Sequence, residues 1–185
     1  LDNITVSIPT ACTLSATIDS EHSVSTLGGT YTDDIGETTM KTICNDANGF
    51  SIYAIGASRS NEGSTVLASS LGTDYDIITG TATSGNTSNW AMKLTTDSTA
   101  TYPITLDSGF NTNNYVSVPS TWTKVAGRQS GTTDMITGST FTTTYAVYTA
   151  PTQHAGTYTG QVAYVLIHGS GDSIGTLHLM QNVSE

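Results

Sequence analysis

Cations are scarce in this 185-residue chain: five Lys and Arg stand against 15 Asp and Glu, for a formal net charge of −10. Binding to nucleic acid needs a basic face that neutralises phosphates, and five scattered cations do not make one. The same shortage argues against attachment to anionic lipid. Long apolar runs are missing as well. None reaches the roughly 18 residues that cross a bilayer as a helix, so no direct membrane insertion is expected. The first residues, from Leu1, lack the charged and apolar regions of a signal peptide. The chain is therefore read as an exported product whose signal has been removed, although a designed chain would look the same. Helical periodicity is almost absent too, because no window repeats apolar residues at three and four with Ala, Leu, Glu and Lys between them.

What fills the chain is Thr, Ser, Gly, Asn and Tyr, with charged residues at only 11%, the balance expected of strands joined by tight turns. Alternation is frequent. Ile4, Val6 and Ile8 alternate with polar residues before Pro9, and Leu14, Ala16 and Ile18 do so after Cys12. Thr38 to Cys44 is a Thr-rich run whose apolar points are Met40 and Ile43. Asp46 to Gly49 then turns into Phe50–Ile55, which reads as a core strand hairpinned to the one carrying Cys44. Trp90, Met92 and Leu94 share one face of a further strand and are expected in the core. Residues 95–138 give no clear strand boundary. Thr140 to Thr149 and Gly160 to His168 read as two long adjacent strands joined through Pro151 and Gly156. The expectation is one all-β domain over 1–168, with 169–185 a linker or extra strand leading to a further domain.

Chemistry is thinly marked. Four histidines, His22, His154, His168 and His178, lack metal-ligand spacing. The acid pairs Asp33-Asp34 and Asp74/Asp76 do not fit the EF-hand loop and read as turn formers. There is no Gly-x-Ser-x-Gly elbow and no phosphate-binding Gly-rich loop in a strand-to-helix setting. No catalytic residue, metal or cofactor is assigned, and no enzyme is expected. Nine tyrosines and two tryptophans raise a sugar-stacking face, with Tyr75, Tyr102, Tyr115 and Trp122 as its candidates; packing within a sandwich is the alternative use of such rings. Cys12 and Cys44 fit one disulfide in an oxidising compartment, closing a loop of about 30 residues and stabilising the fold by roughly 3–4 kcal/mol. A pair of buried free thiols is the alternative.

Three stretches, in order, resemble the spore coat U domain family, which includes the pilins of archaic chaperone–usher pili. Ala11-Cys12-Thr13-Leu14-Ser15-Ala16-Thr17 resembles its first cysteine strand. Thr38 to Cys44-Asn45, followed by Phe50-Ser51-Ile52, resembles its second. Tyr145-Ala146-Val147-Tyr148, Gln153, Ala155 to Gly160 and Val162 to Ile167 resemble its closing hairpin. The likeness frames residues 1–168 and leaves about 58–137 unmatched. It implies an immunoglobulin-like β-sandwich with a disulfide between its first two strands, lacking a strand that a neighbour's amino-terminal extension or the chain's own tail supplies. Ile4, Val6 and Ile8 would be the donated side chains.

The expected role is a structural or adhesive subunit of a bacterial extracellular fibre or surface protein, outside the cell, with copies of itself or related subunits as partners and host or surface glycans as a further class of partner. A secreted carbohydrate-binding module is the alternative.

Overall fold

The computed structural model describes residues 11–16, 28–81, 83–97, 104–128 and 134–169. The donor candidates Ile4, Val6 and Ile8, the ring of Tyr102, His22, His178 and the tail beyond 169 lie outside the described residues.

The described chain is all-β. Its strands are β1 (Cys12–Ala16), β2 (Thr30–Cys44), β3 (Phe50–Gly56), β4 (Ala68–Ser69), β5 (Ile78–Thr79), β6 (Asn89–Thr96), β7 (Thr105–Leu106), β8 (Thr123–Arg128), β9 (Asp134–Thr149), β10 (Tyr158–Thr159) and β11 (Val162–His168). Two three-residue 3-10 turns, Ser58–Ser60 and Thr73–Tyr75, interrupt them. One sheet has the order β1-β2-β9-β6-β5, the other β11-β3-β8-β7, and β10 pairs with β4 in a small third sheet. All pairings are antiparallel except that of β5 with β6.

A period of two sends alternate side chains to opposite faces. The register across the first sheet sets Met40, Phe141 and Thr96 in one row and Thr38, Thr143 and Leu94 in another. These inward rows meet Phe50, Ile52 and Ala54 of β3 and Val125 of β8 in a single buried cluster with Trp90 and Met92. The molecule is thus a β-sandwich closed over one core, and the Trp90, Met92, Leu94 face is core as expected. In β2 the inward residues are Thr38, Met40, Thr42 and Cys44, whereas Ile43 is only half-buried on the other face. Ile43 therefore does not share the core face with Met40, since residues three apart on a strand point in opposite directions.

Two expected hairpins are not formed. β2 and β3 belong to different sheets, so Asp46–Gly49 carries the chain across the sandwich instead of folding it back. β9 and β11 are likewise separated, β9 lying between β2 and β6 while β11 lies beside β3. The segment between them holds β10, which pairs with β4. Alternation fixes which face a strand buries and is silent on its neighbour, so both runs could be read correctly as strands and wrongly as partners.

Small residues permit close approaches. Gly138 has φ +69° at a register break opposite Thr42–Cys44, and a Cβ there would sit 2.5 Å from the Thr42 carbonyl oxygen. At Gly160 a Cβ would lie 2.5 Å from Leu67 Cδ2 and 3.2 Å from the Trp90 ring.

Candidate functional site

The disulfide fixes one end of the seam between the sheets. Cys12 and Cys44 are directly opposite in the β1–β2 ladder, their Cα atoms 4.0 Å apart, and are bonded. Asn45 continues the pairing beyond it: its backbone N–H donates to the Ala11 carbonyl at 3.1 Å, and its Oδ1 accepts from the Ala11 N–H at 2.7 Å. Arg128, buried at the end of β8, lies over the Phe50 ring with its guanidinium carbon 4.9 Å from the centroid and donates to the Cys44 carbonyl at 2.8 Å. A cation on a ring face, hydrogen-bonded to the opposite sheet, ties the two layers together beside the disulfide. Nothing in the sequence pattern had separated Arg128 from an ordinary surface cation.

β1 and β11 are edge strands of opposite sheets and lie beside one another. Among the described residues β11 has a ladder on one side only, with β3, so the main-chain groups of its other edge point away from the sheet. Its inward side chains Val162, Tyr164 and Leu166 pack on the core yet stay partly exposed, as do Cys12 and Leu14 of β1. Tyr164 reaches across to β9 of the other sheet. Its hydroxyl and Thr143 Oγ1 are 2.9 Å apart, and its ring is 6.1 Å from that of Phe141. Burial pushes the phenols of Tyr145 and Tyr164 above their usual range.

A polar latch closes the far end of β11. His168 Nδ1 is 3.1 Å from Asp46 Oδ2, and the Gly169 N–H donates to the Gly49 carbonyl at 2.9 Å. Asp46 Oδ1 also accepts from the Asn48 N–H at 2.8 Å. That backbone donor, followed by His168, holds the Asp46 carboxyl below the usual value of 3.8.

The aromatic candidates have separate surroundings. Tyr75, half-buried, meets the edge of His154 with centroids 4.5 Å apart, and its carbonyl accepts from the Gln153 amide at 2.9 Å. Trp122 donates from Nε1 to Glu62 at 2.6 Å. Tyr115 donates its hydroxyl to Asp33 and carries the Lys93 ammonium 4.7 Å over its ring. Burial, then the Asp33 hydrogen bond, raises its pKa. Around Tyr115 the structure adds residues the sequence did not single out: Tyr31, Tyr148, Asn89 and Gly80 line a shallow depression with it. Tyr31 and Tyr148 stand opposite one another in register, a signal that only strand pairing could expose.

Of the acid pairs, Asp33 is taken up by Tyr115, and Asp76 binds Arg59 at 2.6 Å and the Ser69 N–H at 2.7 Å. Among the described residues no three His, Cys, Asp or Glu side chains converge in a way that would hold a metal ion. Compared with family models, with curated proteins and with solved structures, the chain finds no match.

Proposed function

We propose that the protein is a structural or adhesive subunit of an extracellular bacterial fibre or surface protein, assembled by β-strand complementation and acting as a surface, not as a catalyst. The observation that carries this reading is the state of β11. Val162, Tyr164 and Leu166 face the core but remain half-exposed, and the strand is paired on one side only among the described residues. A strand that places apolar side chains along this seam would bury them and pair with the main-chain groups of that edge, which is how β-augmentation obtains both affinity and specificity. The alternating Ile4, Val6 and Ile8 have the required period. The resemblance of the two cysteine strands and of the Tyr145–Ile167 region to archaic chaperone–usher pilins supports the same reading. Its disulfide expectation agrees with the Cys12–Cys44 bond.

Light scattering on the purified chain, with and without residues 1–9, tests the proposal. Polymers that collapse to monomers on deletion are the expected result. A full-length chain that is monomeric at every concentration would overturn assembly in trans.

A further inference from the structure

Two hydrogen bonds at the ends of β11 fix which of its main-chain groups face β3. The Ala57 N–H donates to the Gln161 carbonyl at 2.9 Å, and the Gly169 N–H donates to the Gly49 carbonyl at 2.9 Å. Pairs that exchange hydrogen bonds recur at every second residue of an antiparallel ladder. Ala163, Val165 and Ile167 therefore bond to β3, whereas the N–H and C=O groups of Val162, Tyr164, Leu166 and His168 face the outer edge. Val162, Tyr164 and Leu166 are also the inward side chains that stay half-exposed.

The chain leaves this strand in a conformation suited to a reversal. Gly169 has φ +88°, in the left-handed region that glycine enters at little cost. Ser170-Gly171-Asp172, which follows, has the composition of a turn. Beyond it Gly175, Leu177 and Leu179 alternate with Thr176 and His178. A four-residue connection over 169–172 is among the common hairpin loops. It would set Ser173 opposite His168, Gly175 opposite Leu166, Leu177 opposite Tyr164 and Leu179 opposite Val162. Residues opposite one another in an antiparallel pair share a face. Both leucines then fall on the inward side, where Cys12 and Leu14 of β1 also stay partly exposed.

We propose that residues 173–180 form a strand of the chain's own that covers the outer edge of β11 in the free subunit and yields to a donated strand on assembly. The yielding rests on the proposed function; the covering does not. A strand tethered by a short loop acts at an effective concentration of roughly millimolar, so it occupies the edge of a dilute subunit and guards it against indiscriminate pairing. It is nonetheless the weaker strand. Ile4, Val6 and Ile8 offer three β-branched side chains, whereas the tail offers two leucines and a glycine.

Hydrogen exchange on the full chain carrying Val6→Asp, which spoils the donor row, tests the covering on monomers. The amides of Val162, Tyr164, Leu166 and His168 should be protected, and adding Leu177→Asp with Leu179→Asp should speed their exchange about tenfold or more. Thr176→Asp, on the opposite face, should leave them unchanged. The amides of Ala163, Val165 and Ile167 report the ladder with β3 and should stay protected throughout, which shows that the sandwich is intact. Unprotected outer-edge amides, equal exchange with and without the two leucines, or protection that disappears on dilution would each overturn covering by the tail. Light scattering tests the yielding: with Val6 intact, the double leucine variant should polymerise at lower concentration than the wild type. Equal polymerisation of the two would overturn displacement. Polymers in neither would overturn assembly in trans, and displacement with it, while the covering is judged by exchange alone.

Discussion

Asp46 shows how one side chain joins the two layers. It caps its own turn through Asn48 and reaches His168 at the end of β11, so its charged form is favoured in the folded state. A carboxyl whose folded pKa is depressed stabilises the protein fully above its unfolded pKa, and the contribution is lost as pH falls through the folded value. The window therefore opens near 3.8 and extends below it. Urea midpoints measured from about pH 6 to about pH 2 should fall more steeply for the wild type than for Asp46→Asn, whose amide still accepts from Asn48 but does not ionise. Parallel curves would mean that the carboxylate adds nothing to the latch.

Among the elements, β1 depends most on a covalent tether. Its five residues pair with β2 alone among the described strands, and Cys12 lies at the first rung. Replacing both cysteines by alanine should cost about 3–4 kcal/mol through the lost constraint on the unfolded chain. Amide exchange should show protection disappearing first in Cys12–Ala16 and last in the β2–β9–β6 ladder; uniform loss would show that β1 is integral to the cooperative unit. β1 and β6 were legible in the sequence because alternation, a cysteine or a tryptophan face marked them. The partners of β3, β9 and β11 were not. Phe50–Ile55 and Val162–Ile167 satisfy the same period in either sheet, and the choice rests on packing among residues far apart in sequence. The candidate site was legible only in pieces. Tyr115 stood out as an aromatic in an irregular stretch, but Tyr31 and Tyr148 became its neighbours only through the register of β2 with β9. The seam residues Val162, Tyr164 and Leu166 read as an ordinary strand, since their half-exposure follows from β11 being an edge.

At the scale of the whole molecule, the central ladder joins strands from opposite ends of the described chain. Met40 faces Phe141, Tyr31 faces Tyr148, and β6 must come from the middle to complete the sheet beside them. Non-local pairing of this kind incurs loop-closure entropy before any contact repays it, and all-β folds so connected fold in milliseconds to seconds. Refolding of the oxidised protein followed by tryptophan fluorescence should therefore be slow, with Trp90 reporting late; a dominant microsecond phase would contradict this. The same connectivity governs biosynthesis. β2 emerges long before β9, so a growing chain presents a 15-residue strand with β1 on one side and its long-range partner β9 not yet in place on the other. Its charged Asp33, Asp34, Glu37 and Lys41 then help keep that waiting strand from pairing with its counterpart on another nascent chain.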